Sequence, residues 1–445
     1  SRSREGENMV ISVAIIGSGP AGFYAADALL NTGLDIEIDI LELLPTPFGL
    51  VRGGVAPDHQ PTKGVARKFE KIGNDIRLQF FGNVNVGKDI TIDDLRGMYD
   101  AVILAVGAPS DRKLTIPGAD KDGVFGSAAF VGWYNGHPDF ADIDPNLKIN
   151  AAVVIGNGNV ALDVARVLVR SPAGRARTDI PGYARTPLDA SPITDVYILG
   201  RRGPAQAKFT NVELRELLDL TECVPIVDPA DLAQAIPADL EGRDRRLAEK
   251  NIETFHAFAE MDPALASKRL HFRFFASPLE ILGDTHVQGV RVERTRLEDG
   301  RAVGTGVVDD IPCRLIVSAI GYRADPIPGL PFDDKRGVIP NEQGRIDKGI
   351  YAVGWIMRGP EGVISSSRPD ATDVAEHIMR DFQGGGSKPG RSALDKALAE
   401  RGVRVVSFAD WKRIDAAEAG RASAPAPRQK FTDVDDMIRH LDEDK

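Results

Sequence analysis

Two glycine-rich turns predict an α/β fold with two Rossmann-like dinucleotide-binding domains. The first turn lies between the apolar residues 10–16 and a helix-like segment that reaches residue 30. The second lies between the apolar residues 151–155 and a helix-like segment that ends near residue 170. With 445 residues, the chain is also longer than a single hydrophobic core usually grows. We therefore expect two α/β domains together with small antiparallel β elements.

The first turn, "GSGPAG", has the G-x-G-x-x-G spacing that binds the pyrophosphate of a dinucleotide. Gly17 permits the tight turn, Gly19 lets a pyrophosphate approach the backbone, and Gly22 lets the helix pack closely on the strand. A second strand-like run, "DIEIDILEL", carries Glu42 at its end. A carboxylate there can accept hydrogen bonds from both hydroxyls of an adenosine ribose. The first domain is therefore predicted to bind a dinucleotide without a 2′-phosphate, and FAD fits this description.

The second turn, "GNGNVA", begins at Gly156 and has Ala161 in place of the third glycine. Its partner strand, "DVYILGRRG", ends in Arg201 and Arg202 where an acidic residue is usual. Guanidinium groups cannot accept hydrogen bonds from ribose hydroxyls, but they can clamp a dianionic 2′-phosphate. A solvated arginine pair is the simpler alternative. We predict that this domain binds NADP(H), so the chain is expected to be an FAD- and NADPH-dependent enzyme.

The two domains are expected to interleave along the chain. Gly107 and Gly321 each end an apolar strand, where a chain crossing between domains often needs a tight turn. Residues 1–8 are expected to be a tail, and a partly helical C-terminal extension is expected to pack on the rest. The predicted ranges are 9–111 and 320–385 for the FAD domain, 112–319 for the NADP domain and 386–445 for the extension.

Charge and cysteine content exclude several classes of protein. The formal net charge of −10 argues against broad nucleic-acid binding, because phosphate contacts need a positively charged surface. Cys223 and Cys313 are the only cysteines. They are too far apart in sequence for a zinc site, a disulfide framework or the paired-cysteine motif of flavin-dependent disulfide reductases. No apolar run reaches the roughly 18–20 residues that span a bilayer. A soluble, cytoplasmic protein without a bound metal is expected.

Several longer segments resemble adrenodoxin reductase and its bacterial ferredoxin–NADP reductase relatives. They are "LPTPFGLVRGGVAPDHQPTKGV" (44–65), "FVGWYNGHPDF" (130–140), "GNGNVALDVAR" (156–166), "GRRGPAQAKFTNVELREL" (200–217) and "VGWIMRGPEGVI" (353–364). Trp355 follows the glycine of "YAVG", where many two-nucleotide flavoproteins carry aspartate, and this favours the same branch. The resemblance covers residues 9–382 and implies a fold of the glutathione-reductase-like superfamily.

This resemblance implies FAD-dependent electron transfer from NADPH to a small iron–sulfur protein. It also implies which residues contact the cofactors. The residues implied for FAD are Ala21, Glu42, Leu50, Val86, Trp355, Gly362, Val363 and Ile364. The residues implied for NADPH are Arg112, Asn157, Gly158, Asn159, Val160, Arg201, Arg202 and Glu213. Because the chain has no internal dithiol, the reduced flavin must pass its electrons to an external acceptor.

Three titratable residues are candidates for catalysis, although the flavin itself carries out the hydride chemistry. His59, in "APDH", lies in a loop expected to line the flavin. Its imidazole either orients groups and moves protons there or only fixes the backbone. Glu216 is expected near the nicotinamide or, alternatively, on an exposed helix face. Asp163, one turn into the second phosphate-binding helix, contributes to the site or supports the packing of the loop.

The expected partner is a ferredoxin or a similar acidic iron–sulfur protein. Because this chain is also net negative, docking needs a local basic cluster. Arg215, Arg243, Arg245 and Arg246 lie on helix-like segments of the NADP domain, where the resemblance places docking. A solvated charged face is the alternative, since acidic residues are interleaved. A monomer is the default expectation. A quinone or other small acceptor, or a non-catalytic regulator, are the competing functions.

Overall fold

The computed structural model describes residues 9–233 and 236–443 and divides the chain into two compact units. Unit 1 takes the chain as far as Ser110 and then contains Tyr322–Ala422 and the residues from Lys430 onward. Unit 2 contains Asp111–Gly321 and Ser423–Gln429. The two main crossings, after Ser110 and after Gly321, lie within two residues of the domain limits expected from the sequence, residues 111 and 319. The expected tail, residues 1–8, lies outside the described residues.

The described residues form the following strands and helices. The strands are β1 Ile11–Ile16, β2 Ile36–Leu41, β3 Leu78–Phe81, β4 Ala101–Leu104, β5 Ser110–Asp111, β6 Val124–Gly126, β7 Ala151–Ile155, β8 Asp195–Leu199, β9 Cys223–Val227, β10 Lys268–Arg273, β11 Ala276–Leu282, β12 Gly289–Glu298, β13 Arg301–Pro312, β14 Leu315–Ser318, β15 Tyr322–Arg323, β16 Arg345–Asp347 and β17 Ile350–Ala352. The helices are α1 Pro20–Leu30, α2 Leu50–Gly53, α3 Gln60–Lys63, α4 Ala66–Gly73, α5 Ile92–Met98, α6 Ser127–Tyr134, α7 Asn159–Val169, α8 Pro172–Arg175, α9 Gly182–Ala190, α10 Asn211–Glu216, α11 Gly242–Ala259, α12 Trp355–Arg358, α13 Ser367–Asp381, α14 Arg391–Glu400, α15 Phe408–Gly420 and α16 Val434–Glu443.

The sheet of unit 1 has the order β16-β17-β4-β1-β2-β3, with parallel pairing except at the β16 edge. Every residue of β1 is buried, which is why its sequence is a nearly continuous apolar run. From β1 the chain continues to β2 and β3 on one side and returns to β4 on the other. Ile16 is opposite both Leu41 and Leu104, so β1, β2 and β4 end together. A ligand crevice is expected at such a switch point, beyond the carboxyl ends of the strands.

Unit 2 repeats this arrangement with the order β6-β14-β7-β8-β10-β9, all parallel. Here β7 is the central strand, with β8 on one side and β14 on the other. Ile155 is opposite Leu199 and Ser318, so these three strands also end together. The antiparallel sheet β11-β12-β13 provides the expected antiparallel elements. The prediction of an α/β fold with two Rossmann-like domains is confirmed.

The described residues after 385 are mostly helical and pack into unit 1. Apart from Ser423–Gln429, they belong to unit 1 and form α14, α15 and α16. Leu394, Trp411 and Leu441, one from each helix, are buried in the cores of this unit. The expected C-terminal extension therefore packs on the rest of the chain, and its helices also complete the hydrophobic core of unit 1. Among the described residues, no helix has the length and apolar composition needed to cross a membrane.

A buried ion pair joins the C-terminal segment to the sheet of unit 1. Asp39, in β2, has no solvent-exposed surface. Arg391 Nε donates to its Oδ1 at 2.6 Å, and Tyr99 Oη donates to its Oδ2 at 2.7 Å. Arg391 also donates to the carbonyl oxygens of Ile38 and Arg77. Burial nevertheless raises the pKa of Asp39 from 3.8 to about 6, because desolvation outweighs these two hydrogen bonds.

This raised pKa of Asp39 makes a prediction about stability. The folded protein retains a proton that the unfolded chain releases, so Asp39 lowers stability progressively as the pH rises through the interval from 3.8 to about 6. Relative to an Asp39→Asn variant, which cannot titrate there, the wild-type free energy of unfolding should fall by about 1 kcal/mol between about pH 5 and about pH 7. Thermal melts of both proteins at both pH values measure it. A difference between the proteins that does not change with pH would contradict the assignment.

Candidate cofactor sites

The glycine-rich turn of unit 1, residues 17–22, is the phosphate turn of this unit. It is packed on one side and open on the other. Gly17 has a φ of +107°, and a Cβ added there would lie 2.2 Å from the carbonyl oxygen of Ala105, just beyond β4. A Cβ on Gly22 would lie 2.1 Å from the carbonyl oxygen of Gly17. At Gly19, by contrast, the nearest atom would be 3.7 Å away. The helix α1 begins directly after Gly19 without a side-chain cap, so its first N–H groups can bind an anion.

The Glu42 carboxylate is oriented before any ligand arrives. Ser18 Oγ donates to its Oε1 at 2.6 Å, and the Leu44 N–H donates to its Oε2 at 3.0 Å. Burial raises the pKa of Glu42, while these hydrogen bonds favour the ionised carboxylate. Each oxygen keeps acceptor capacity for a further donor. Glu42 follows the end of β2, beside the phosphate turn, where the sequence predicted a ribose-binding carboxylate.

The loop after β2 covers the phosphate turn. The Phe48 N–H donates to the Ser18 carbonyl oxygen at 2.9 Å. Gly49 has a φ of +52°, and a Cβ on it would lie 2.8 Å from the Cα of Gly19. Leu50 follows at the start of α2, and its side chain is exposed. The structure therefore places Leu50 directly after a backbone segment that touches the phosphate turn.

Gly354, from the second sequence segment of unit 1, also packs against the start of α1. Gly354 has a φ of +79°, and a Cβ on it would lie 2.7 Å from the Cβ of Ala21. Trp355 follows, half-buried, with its ring stacked on Tyr322 at 5.9 Å. Ala21 and Trp355, both predicted FAD contacts, are therefore brought to the same end of α1.

The other residues predicted to contact FAD, Val86 and the segment 362–364, are half-buried or exposed. Val86 is half-buried and packs against the core that lies under β3 and β4. Gly362 and Val363 are exposed, and Ile364 begins the short 3-10 turn that leads into α13. Exposure of Val363 and Leu50 leaves two apolar side chains that a large planar cofactor would cover.

His59 holds the backbone of its loop. It is the N-terminal cap residue of α3, and its carbonyl oxygen accepts from the N–H groups of Thr62 and Lys63. Its own N–H donates to the Ala56 carbonyl oxygen at 2.9 Å. These contacts are made by the backbone of His59, so they do not distinguish the two roles considered for its half-buried imidazole, and the catalytic role stays a prediction.

The phosphate turn of unit 2 repeats the geometry of the first. A Cβ on Gly156 would lie 2.2 Å from the Ala319 carbonyl oxygen, just beyond β14. A Cβ on Gly158 would meet no atom within 4 Å, and α7 begins after it without a side-chain cap. The Asn157 carbonyl oxygen accepts from the Lys208 N–H at 2.9 Å. Unit 2 therefore has its own open, uncapped helix N-terminus.

Asn159 ties this turn to the segment that leads into α10. Its Oδ1 accepts from the Thr210 N–H at 2.8 Å, and its Nδ2 donates to the Thr210 hydroxyl at 3.3 Å. Val160 is the next residue of α7 and is half-buried. The Arg112 N–H donates to the carbonyl oxygen of Gly321, three residues beyond the end of β14, at 2.9 Å.

Hydrogen bonds hold the backbones of Arg201 and Arg202, while their side chains are exposed to solvent. The Thr295 hydroxyl donates to the Arg201 carbonyl oxygen at 2.6 Å. The Phe275 N–H donates to the Arg202 carbonyl oxygen at 3.0 Å, from a backbone with the strained φ of +53°. Both side chains are exposed, and neither forms an ion pair within the described ranges. Two uncompensated guanidinium groups therefore follow β8, beside the open phosphate turn.

The two carboxylates considered for catalysis, Asp163 and Glu216, both lie close to one buried arginine. Arg166 has no exposed surface, and its Nη2 lies 2.9 Å from Asp163 Oδ1. Its Nε lies 4.0 Å from Glu216 Oε2. A carboxylate oxygen of Glu213 lies within 4.8 Å of one from Asp163. This geometry supports the packing interpretation of Asp163, and the i,i+3 spacing of Asp163 and Arg166 was already visible in the sequence.

The four arginines expected to dock a partner differ in availability. Arg215, Arg243 and Arg246 are exposed and form no ion pair among the residues that the structure describes. Arg245 is half-buried, and its Nε lies 3.1 Å from Glu249 Oε1, one turn along α11. The basic surface of α10 and α11 is therefore formed mainly by the other three.

Neither cysteine is suited to redox chemistry. Cys223 and Cys313 are both free and buried. Burial raises the pKa of each thiol to about 12, so the reactive thiolate is scarce at neutral pH. The chain therefore has no internal dithiol that could exchange electrons with a flavin.

The chain is similar to known proteins over nearly its whole length. Residues 11–202 match the family model described as pyridine nucleotide-disulphide oxidoreductase. The chain is 44% identical over 450 residues to the NADPH-ferredoxin reductase FprA of Mycobacterium tuberculosis, covering 96% of this chain and 98% of that protein. It is 42% identical to the human mitochondrial NADPH:adrenodoxin oxidoreductase, covering 96% and 91%. A solved structure of Mycobacterium tuberculosis FprA in complex with NADPH matches with a TM-score of 0.92 and 43% identity, covering 97% and 99%.

Proposed function

The chain belongs to the adrenodoxin reductase family of NADPH–ferredoxin reductases, and from this premise we propose that it transfers electrons from NADPH through FAD to a ferredoxin. The observation that carries the proposal is the contrast between two equivalent strand ends. Glu42 follows β2 of unit 1, whereas Arg201 and Arg202 follow β8 of unit 2. A carboxylate accepts hydrogen bonds from ribose hydroxyls, whereas a pair of guanidinium groups binds a 2′-phosphate.

Unit 1 fits FAD. The open face of Gly19 and the uncapped start of α1 receive the pyrophosphate, and Glu42 accepts hydrogen bonds from the adenosine ribose. Trp355 and the exposed Gly362–Ile364 segment lie against the isoalloxazine ring in this proposal. When bound, FAD accepts a hydride from the nicotinamide and releases electrons one at a time.

Unit 2 fits NADPH. The segment Asn157–Val160 receives the pyrophosphate at the start of α7, and Arg201 and Arg202 bind the 2′-phosphate. Arg112 and Glu213 are the further contacts proposed. Lys208, Thr295 and Phe275 hold the backbones of these segments, and of the three only Lys208 lies within a segment that the sequence analysis singled out.

The proposed roles of the titratable residues now differ. Asp163 and Glu216 keep Arg166 in place, which orients α7 against α10. They act as positioning residues, while His59 is the proposed orienting or proton-moving group beside the flavin.

The proposed partner is an acidic iron–sulfur protein that docks on the exposed guanidinium groups of Arg215, Arg243 and Arg246. Arg245 joins this surface only when its ion pair with Glu249 opens. We also propose a cytoplasmic monomer. Because surface charges are screened by salt, reduction of the partner is expected to slow as ionic strength rises.

The test is an anaerobic titration of the purified protein with NADPH, followed by addition of an oxidised ferredoxin. We expect the flavin absorption band to bleach with NADPH and the iron–sulfur spectrum to change on addition of ferredoxin. Ferricyanide serves as the control acceptor, since it reports flavin turnover without docking. Bleaching followed by oxidation with a quinone but not with ferredoxins would assign the small-acceptor alternative. A flavin that stays oxidised with NADPH would leave only a non-catalytic role.

A further inference from the structure

A buried ion pair connects the C-terminal segment to the loop that covers the phosphate turn of unit 1. Glu418, in α15, has no exposed surface. Its Oε1 accepts from Arg52 Nη2 at 2.6 Å, and its Oε2 accepts from Arg52 Nη1 at 3.1 Å. The contact is bidentate and spans 366 residues of sequence. The planar guanidinium is therefore fixed in orientation as well as in position.

Further contacts hold the same short segment. The Arg52 guanidinium lies 5.4 Å from the ring centre of Trp411, and the Phe48 ring meets Trp411 edge-on at 5.7 Å. Lys430 Nζ donates to the Arg52 carbonyl oxygen at 2.9 Å. Three side chains of the C-terminal segment therefore contact residues 48–52.

The other side of this segment is the phosphate turn itself. The Phe48 N–H donates to the Ser18 carbonyl oxygen, and Gly49 lies against the Cα of Gly19. Arg52 is only three residues beyond Gly49, within α2. Residues 48–52 are thus held between the C-terminal segment and the backbone that receives the pyrophosphate.

A buried ion pair is weak evidence of stability, because desolvation of both charges offsets most of their attraction. Its best-attested use is to fix one arrangement among several. Here we propose that Glu418 is a positioning residue for FAD. Through Arg52, it holds Gly49 and Leu50 against the phosphate turn, so α15 and Lys430 are part of the FAD site. The proposal rests on the proposed function, since it requires that unit 1 binds FAD.

The test compares FAD release from the wild type and from Glu418→Gln at one temperature, well below unfolding. Release is followed by the rise of free-flavin fluorescence, and folding by circular dichroism. We expect release about tenfold faster in the variant, which corresponds to about 1.4 kcal/mol of lost binding. Asp381→Asn is the matched control, because its carboxylate also pairs with an arginine, Arg345, at the far end of α13. This control is expected to release FAD at the wild-type rate.

A second variant keeps the test decisive if Glu418→Gln does not fold. Arg52→Met combined with Glu418→Met replaces both charges by apolar side chains, which usually preserves stability. Wild-type FAD release from this folded double variant would overturn the positioning role. It would leave the proposed function intact, because the protein still binds FAD. A wild-type protein that binds no FAD would instead refute the proposed function.

Discussion

Replacement of both Arg201 and Arg202 by alanine is expected to raise KM for NADPH by roughly 10²–10⁴-fold, because each charge-assisted contact contributes about 1.5–3 kcal/mol and the two together about 3–6 kcal/mol. The KM for NADH should change by less than about threefold, since NADH has no 2′-phosphate. The kcat with saturating NADPH should persist, because the 2′-phosphate is bound equally before and during hydride transfer. Steady-state kinetics with ferricyanide measure all three, and calorimetry with 2′,5′-ADP measures the clamp without turnover.

The control for this prediction is a double variant that loses the same charge elsewhere in unit 2. Arg301 and Arg314 are both exposed and form no ion pair within the part of the chain described. Arg301→Ala combined with Arg314→Ala should leave both KM values unchanged. An equal rise in KM for NADPH from this control would show that overall charge, and not a local clamp, attracts the nucleotide.

The second large effect is expected at Gly17. Alanine there would place its Cβ 2.2 Å from the Ala105 carbonyl oxygen, on a backbone with a φ of +107°. Strained φ and overpacking each cost about 1–3 kcal/mol, so unit 1 should lose several kcal/mol of stability and its FAD. Flavin content after purification and the melting temperature measure the two losses.

Gly19 supplies the matched control, since the nearest atom to its added Cβ would be 3.7 Å away. Gly19→Ala should therefore fold with a melting temperature near that of FAD-free wild type and still bind FAD poorly, because the new methyl group occupies the pyrophosphate approach. If Gly17→Ala kept both its flavin and its melting temperature, the backbone contact with Ala105 would not be the reason for glycine at that position.

Short sequence patterns were enough to predict the α/β fold and the candidate cofactor-binding residues at the ends of the strands. Strand, turn, helix and terminal charge all lie within about one βαβ unit of sequence, so Glu42, Gly19 and Arg201 could be assigned their places directly. The residues that hold these groups are distant in sequence. Thr295 is 94 residues from Arg201, and Glu418 is 366 residues from Arg52. Such pairs form only when the tertiary structure brings strands and helices together, so no motif marks them.

How deeply the C-terminal segment packs into unit 1 could not be predicted from the sequence, for a related reason. Its helices are charged and carry few large apolar residues, a composition typical of an exposed appendage. Burial of Trp411 and Leu394 depends on the faces that the first domain leaves uncovered, and these are fixed by residues more than 300 positions earlier in the chain. Sequence reasoning sees the composition of a helix but not the surface that receives it.

The discontinuity of unit 1 has a consequence for biogenesis. Unit 2 is almost continuous and can fold as it leaves the ribosome, whereas β4 must wait for β17, nearly 250 residues later, to complete its pairing. The contacts that Glu418, Trp411 and Lys430 make with residues 48–52 form later still, after α15 and Lys430 have been synthesised. Nascent chains halted before α15 should therefore contain a folded nucleotide domain and an unfinished flavin domain. With the proposed role of Glu418, loading of FAD is expected to follow the synthesis of α15 and Lys430, which makes it a late step in maturation.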